Sequence, residues 1–368
     1  MATGTFVGAA DIRQTVKVVP LTCHGHSRPI THISFSSVID DDYFLISACK
    51  DNNPMLRNGV TGDWIGTFLG HKGAVWSARL SSDATLAATG SADFSAKVWD
   101  TQTGEALHTL EHEHIVRAVA FPNQPHPQIL ATGTVGKRLR IFDLSRSTSA
   151  TSSPTEPNGA SSASFEIGAG VHQGSIKSIV WANDPNIIIT ASEDKKIRWW
   201  DLRTQSTIGE YAVDGTFGSC ELDNMGADGS QGGGILSVAA GKTAYFFDGR
   251  QPATLIKSVT TKYDLASVAL HSAQEKFVAG SSSDTWVHVF DLNTGDELGK
   301  RYPPGSPLHV DANEPSQRLA RVTMVRSGQA CSRPMESCMR LAARTAQSSC
   351  GSSQPALTVS GGSSRAAK

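Results

Sequence analysis

Short stretches in which apolar and polar residues alternate, separated by turn residues, follow one another along most of the chain. Between Gly70 and Asp100 the order is a Gly-His pair, an alternating stretch, a second such stretch, a turn at Asp93 and a stretch that ends in Trp99-Asp100. Alternation with a period of two predicts β-strands that bury one face, and the turn residues between them predict antiparallel neighbours. The segment therefore predicts a small antiparallel sheet.

This unit is repeated. An earlier copy opens at Gly25-His26 and has its turn at Asp51, so six units can be counted between Leu21 and Tyr302. A period of roughly 40–45 residues with four strands per unit is typical of the blades of a β-propeller. The strand-end pairs, about 43 residues apart at the first and last intervals, are Trp99-Asp100, Phe142-Asp143, Trp200-Asp201, Phe247-Asp248 and Phe290-Asp291.

The units resemble WD40 repeats, which implies an all-β WD40 β-propeller with six recognisable four-stranded blades and a seventh blade that is lost or out of frame. Three units carry a histidine, a hydroxyl residue four positions before the turn aspartate, and in two cases a tryptophan. Side chains at this spacing predict one buried hydrogen-bond network per blade, whose members must all be paired. The sets are His71, Thr89, Asp93 and Trp99; His172, Thr190, Asp194 and Trp200; and His26, Ser47 and Asp51.

Histidine, hydroxyl and aspartate also make up a catalytic triad, but a set that recurs in successive blades is architecture, whereas an active site occurs once. We therefore predict no catalytic residue, no cofactor and no small-molecule substrate. His108, His112 and His114 lie close together in the sequence, yet no carboxylate has the spacing of a metal site beside them.

The composition predicts a water-soluble protein. The hydrophobic fraction is 39% and the mean hydropathy is -0.21, and no apolar stretch approaches the ~20 residues that span a bilayer. We expect no membrane insertion. Six cysteines without paired spacing and without an export signal predict reduced thiols in the cytoplasm or also in the nucleus.

The sequence divides into an N-terminal extension (1–15), the propeller (16–301) and a C-terminal segment (302–368). Within the propeller, the Ser-rich residues 145–163 predict a disordered loop and residues 223–234 a Gly-rich loop. The C-terminal segment holds eight basic and three acidic residues, which leaves 25 basic and 31 acidic residues in the rest of the chain. A mildly acidic body argues against a broad phosphate-binding face, so RNA contact is expected to be indirect at most.

Residues 302–368 show neither strand alternation nor a turn aspartate, and they are rich in Ser, Arg and Ala. One interpretation is an aberrant basic tail of low complexity. The other is a frameshifted seventh blade, because back-translation of 341–352, with the last base of each codon joined to the first two of the next, permits a turn Asp, a strand and a terminal Trp at the blade spacing. We favour the frameshift. As written, the chain would keep only the outer strand of that blade, near residues 16–23.

Several segments go beyond the generic repeat: Tyr43–Asp51, Met55–Arg57, Thr61–Trp76 and His114–Arg117. They resemble the family of serine/threonine kinase receptor-associated proteins. The resemblance implies a non-catalytic scaffold, linked to the survival-of-motor-neuron complex that assembles spliceosomal ribonucleoproteins and to receptor signalling. Its partners would be other proteins of a multi-subunit complex. A related alternative is a scaffold like subunit i of translation initiation factor three, and a less favoured one is a propeller enzyme.

Positions that differ from blade to blade are the best candidates for binding. Five residues after the histidine that opens each of blades 1 to 4 come Thr31, Trp76, Arg117 and Lys177, at the entry of each first strand. Aromatic and basic side chains are enriched at interface hot spots. We predict that these four residues form a partner-binding rim at the mouth of the channel.

Overall fold

The computed structural model describes residues 23–39, 42–145, 164–225, 231–272, 275–281 and 286–301. These residues form six four-stranded sheets and contain no α-helix. Every sheet is an antiparallel meander, in which each strand pairs with the next along the chain. The prediction of an all-β propeller with six recognisable blades is confirmed.

Each blade consists of four consecutive strands. Blade 1 contains β1 (Ile30–Phe35), β2 (Phe44–Cys49), β3 (Met55–Asn58) and β4 (Trp64–Thr67). Blade 2 contains β5 (Val75–Leu80), β6 (Leu86–Ser91), β7 (Ser95–Asp100) and β8 (Ala106–Glu111). Blade 3 contains β9 (Val116–Ala120), β10 (Ile129–Thr134), β11 (Leu139–Asp143) and β12 (Ser164–Ile167).

The second half of the ring is built in the same way. Blade 4 contains β13 (Ile176–Trp181), β14 (Ile187–Ser192), β15 (Lys196–Asp201) and β16 (Ser206–Ala212). Blade 5 contains β17 (Phe217–Met225), β18 (Gln231–Ala240), β19 (Thr243–Asp248) and β20 (Leu255–Thr260). Blade 6 contains β21 (Leu265–His271), β22 (Lys276–Ser281), β23 (Val287–Asp291) and β24 (Glu297–Arg301).

The position of a strand in its blade follows from its polarity. The first strands contact the first strands of the neighbouring blades, so they line the central channel. Second strands such as β6, with the sequence LAATGS, are almost fully buried, because small residues let two blades approach from both faces. Fourth strands such as β8, with the sequence ALHTLE, are mostly exposed and form the outer edge.

Apolar side chains are buried between blades rather than inside one common core. Five apolar clusters occur, and each lies between two consecutive blades, from blades 1 and 2 to blades 5 and 6. Large aromatic side chains such as Trp99, Trp200 and Phe247 fill them. Among the described residues, no comparable cluster joins blade 6 to blade 1.

The Gly-rich segment is shorter than predicted. β17 extends to Met225 and β18 begins at Gln231, so both ends of the predicted loop 223–234 belong to strands. Asp223 pairs with Ile235 in the ladder. Backbone hydrogen bonds hold such a ladder without large side chains, which is why glycine content alone misplaced its ends. Residues 1–22, 146–163 and 302–368 lie outside the described residues, and with them the predicted extension, most of the Ser-rich loop and the tail.

Candidate partner-binding mouth of the channel

The network of blade 2 contains all four of its predicted residues. His71 places Nδ1 2.8 Å from Asp93 Oδ2 and Nε2 2.7 Å from Thr89 Oγ1. The Trp99 indole donates from Nε1 to the same threonine oxygen at 2.8 Å. Burial alone raises the pKa of Asp93, but hydrogen bonds from Ser95, a backbone N–H and His71 outweigh it and lower that pKa to about 2.

Blade 1 forms the same network without a tryptophan. His26 bonds Asp51 at 2.9 Å and Ser47 at 2.7 Å. Cys49 lies near His26 and Asp51, and its Sγ donates to the carbonyl of Arg28 at 2.9 Å. The hydroxyls of the corresponding serines in blades 2 and 4 make the equivalent bond, also at 2.9 Å.

His26, Cys49 and Asp51 also have the composition of a metal site, because their ligand atoms lie within 4.8 Å of one another. Burial raises the pKa of the Cys49 thiol to about 12. A metal needs the thiolate, and this thiol is a hydrogen-bond donor instead. The three residues therefore fit a structural network and not a metal centre.

Blade 4 departs from the prediction at one bond. His172 contacts Thr190 at 3.3 Å, and Trp200 donates to Thr190 at 2.9 Å. Asp194 does not bond the histidine directly. The buried guanidinium of Arg198 lies between them, 3.0 Å from His172 Nδ1 and 2.8 Å from the Asp194 carboxylate. The network is intact but contains Arg198 as a fifth member. Its position in the middle of β15 gave no sign in the sequence of a role in the network.

Blade 3 has a network that the sequence analysis missed. His112 Nε2 lies 2.9 Å from Thr132 Oγ1, and His112 Nδ1 bonds the carbonyl of Leu110 at 3.0 Å. The turn position holds Gly136, where a Cβ would overlap the ring of His114. The signal was present, because Thr132 lies four residues before Gly136, as the hydroxyl residues of the other blades precede their aspartates.

These histidines are not suited to acid–base work. Burial lowers the pKa of His71, and it lowers the pKa values of His112 and His172 to about 4. All three are therefore neutral at neutral pH, and each is hydrogen-bonded within its own blade. The arrangement stabilises blades and presents no reactive group to a substrate.

The predicted rim residues share a backbone feature. Each of them is skipped in the pairing between the first and second strand of its blade, so that the first strand has one extra residue there. Such a β-bulge turns the extra side chain away from the regular ladder. The skipped residues of blades 1 to 4 are Thr31, Trp76, Arg117 and Lys177.

The four bulge residues make different contacts. The Arg117 guanidinium lies 4.4 Å from the centroid of the Trp76 ring, and Lys50 Nζ lies 5.6 Å from it. Lys177 forms an ion pair with Glu193 at 3.2 Å. Thr31 donates its hydroxyl to the carbonyl of Val75 in blade 2, so it links two blades. The structure thus brings Trp76 and Arg117 together, while Thr31 and Lys177 have neighbours of their own.

The other half of the mouth has only small side chains at the corresponding positions. Blade 6 has Ala266 as its skipped residue, and blade 5 has Gly218 and Ser219. A Cβ at Gly218 would overlap the Ala266 carbonyl, so the two inner strands meet closely here. Within the described part of the chain, the mouth therefore has a large aromatic and basic side and a small-residue side.

An ion pair crosses the channel below the mouth, and the sequence analysis did not identify it. Arg79 of β5 donates from its two terminal nitrogens, Nη1 and Nη2, to the two carboxylate oxygens of Glu221 in β17, at 3.0 and 2.8 Å. His32 Nε2 of β1 lies 4.0 Å from the same carboxylate. The pair borders a cavity of about 200 Å³ at the opposite end of the channel. It joins blades 2 and 5 across the ring.

Comparisons with known proteins agree with this geometry. The family described as "WD domain, G-beta repeat" matches residues 62–100 and 169–201. The described residues contain no helix that is long and apolar enough to cross a membrane. The repeated networks, the blades and the family match define a WD40 β-propeller, a class of scaffold for protein interactions.

The relatives narrow the class. Serine-threonine kinase receptor-associated protein of Gallus gallus is 41% identical over 308 residues, covering 84% of this chain and 79% of the relative. The Homo sapiens protein is 39% identical over the same length and coverage. Eukaryotic translation initiation factor 3 subunit I of Culex quinquefasciatus is 28% identical over 267 residues, covering 72% of this chain and 77% of the relative. The chain belongs to the serine-threonine kinase receptor-associated protein family.

Proposed function

We propose that this chain is a non-catalytic scaffold that holds partner proteins of a multi-subunit complex at the mouth of its channel. The complex would be the survival-of-motor-neuron assembly machinery or a receptor-kinase signalling complex, in the cytoplasm and also in the nucleus. The name of the family supports an association with a serine-threonine kinase receptor. RNA would be contacted only through these partners.

One observation carries the proposal. The bulges of four successive blades place side chains of different types at the same mouth, whereas the hydrogen-bond networks within the blades use the same residue types again. Repeated residues serve the common fold, and the residues that differ between blades are those a specific partner can distinguish. Trp76 and Arg117 are the residue types most enriched at interface hot spots. Their contact at 4.4 Å gives the rim a defined aromatic and basic centre.

The test replaces Trp76, Arg117 and Lys177 together by alanine and measures capture of assembly factors and receptor kinases from cell extract. The matched control is Lys72→Met, which removes one exposed cation near the Gly-His turn of blade 2. Circular dichroism and the melting temperature verify the fold of both variants. We expect the triple variant to lose its partners and the control to keep them. Unchanged capture by a folded triple variant would place the binding surface elsewhere.

A translation-initiation role is the second candidate, supported by the match to translation initiation factor 3 subunit I. The lower identity of that relative, 28% against 41%, favours the first candidate. Sedimentation of cell extract separates the two. Migration of the native chain with small ribosomal subunits would support the second, whereas migration free of ribosomes would support the first.

A further inference from the structure

Arg117 is a cation without an anionic partner in direct contact. Its guanidinium packs on the Trp76 ring at 4.4 Å, but it forms no hydrogen bond or ion pair within the described residues. Burial lowers the pKa of Arg117, and the charge of Glu193 opposes this only from a distance. A partly buried guanidinium carries five donors, so leaving them unpaired is costly. The site is chemically incomplete without an acceptor.

The Trp76 side chain also has a donor without an acceptor. Its indole Nε1 is buried and has no hydrogen-bond partner. An unpaired buried donor costs about 1–3 kcal/mol. Two unpaired donor groups therefore occur on adjacent, mutually packed side chains at the mouth. By contrast, Lys177 already has the carboxylate of Glu193.

The electrostatics of this centre select among ligands. Arg117 and Lys50 both lie over the Trp76 ring, which excludes a partner lysine or arginine by repulsion. The same two side chains occupy space that an aromatic partner would need for stacking on the indole. A carboxylate satisfies the guanidinium fork with two parallel bonds and gains from both cations.

We propose that the mouth binds an acidic peptide segment, one of whose Asp or Glu carboxylates is held by the Arg117 guanidinium beside Trp76. This inference rests on the proposed function, because it names the chemistry of the partner at the same rim. The segment would run toward the small-residue side of the mouth, where Gly218 and Ala266 project no large side chain. Specificity would come from the fork, and Trp76 would hold that fork in position.

The probe is an acetylated and amidated glutamate hexapeptide, with the matching glutamine hexapeptide as the neutral comparison. Isothermal titration measures the dissociation constant of the whole chain and of three variants. Arg117→Met keeps the packing stem on Trp76 and removes the charge, Arg117→Lys keeps the charge and removes the fork, and Lys72→Met removes one exposed cation from the same face.

We expect Arg117→Met to weaken binding at least tenfold, Arg117→Lys to weaken it severalfold, and Lys72→Met to change it less than twofold. The glutamine peptide should bind at least tenfold more weakly than the glutamate peptide. Equal losses for Lys72→Met and Arg117→Met would mean diffuse electrostatic attraction and would overturn the inference, as would equal affinity for both peptides or no binding of either. Arg117→Lys, which keeps the size and charge of the residue, retains the test if Arg117→Met fails to fold.

The two proposals can fail separately. If the triple rim variant loses its partners while glutamate binding ignores Arg117, the rim binds proteins by another chemistry and only this inference is wrong. If partner capture is also unchanged in the triple variant, the proposed function of the rim is wrong as well.

Discussion

Breaking the ion pair that crosses the channel should destabilise the whole ring. Arg79 and Glu221 are separated by 142 residues, and their side chains join blades 2 and 5. We consider Arg79→Met, which keeps most of the aliphatic stem, and Glu221→Gln, which keeps the shape of the carboxylate. Either change leaves one charged group in the channel without its partner.

The expected magnitude follows from geometry and exposure. Both bonds are short, at 3.0 and 2.8 Å, and the two side chains are 17% and 20% exposed. Exposed ion pairs contribute about 0–1 kcal/mol, whereas removing one partner of a buried pair costs about 3–5 kcal/mol. This pair lies between those limits, and we expect a loss of about 2 kcal/mol per single variant. For a folded region of this size, that corresponds to a fall in melting temperature of roughly 4–8 °C.

Thermal and urea unfolding of the two single variants and the double variant provide the measurement. The double variant should be little worse than either single variant, because both lose the same interaction. The control is Arg138→Met, which breaks a pair of the same 2.8 Å length whose side chains are 40% and 58% exposed. It should cost about 0.5 kcal/mol or less. Losses at Arg79 no larger than at Arg138, or fully additive losses in the double variant, would refute the reasoning.

Three further predictions concern acid stability, the cysteine of blade 1 and the C-terminal segment. Burial lowers the pKa values of His112 and His172 to about 4, below an unfolded value of about 6.5. The stability that their neutral forms confer is therefore complete above pH 6.5 and falls by about 1.4 kcal/mol per histidine per pH unit toward pH 4. His112→Asn should flatten the dependence of the melting temperature on pH, and an unchanged slope would contradict this prediction. Cys49→Ser should cost under about 1 kcal/mol, since a hydroxyl can donate to the same carbonyl, whereas Cys49→Ala should cost about 1–2 kcal/mol by urea unfolding; equal costs would show that the bond contributes nothing. Sequencing of the transcript across 295–368 should reveal a shifted frame that encodes a seventh blade, and a chain with that frame restored should melt at higher temperature; a transcript that confirms the present frame would end the frameshift proposal.

The features that the sequence could predict are local ones. Period, strand ends and network members such as His71 and Asp93 lie within one repeat, so their spacing carries the information. The bulge positions were also accessible, because Trp76 and Arg117 each lie five residues after a histidine with a fixed place in the blade.

Features that depend on how the strands pack in space could not be predicted in this way. Arg79 and Glu221 lie on strands three blades apart, and no local pattern relates them. Arg198 belongs to a basic group with Lys195 and Lys196 that predicts a solvated strand edge. It is instead buried in a network, where its guanidinium bonds both His172 and Asp194. In both cases the packing of the strands in space, and not the spacing of residues along the chain, decides which charged groups meet.

The bulges at the channel mouth have a consequence for how this family can diversify. A bulged residue is absent from the ladder between its strand and the next, so replacing its side chain leaves the paired backbone hydrogen bonds in place. In the proposed binding role, substitutions at Trp76 or Arg117 would alter recognition without removing a backbone hydrogen bond of the ladder. The same blades can thus carry different side chains at the mouth, and a scaffold of this kind would change partners by substitution at the bulges alone.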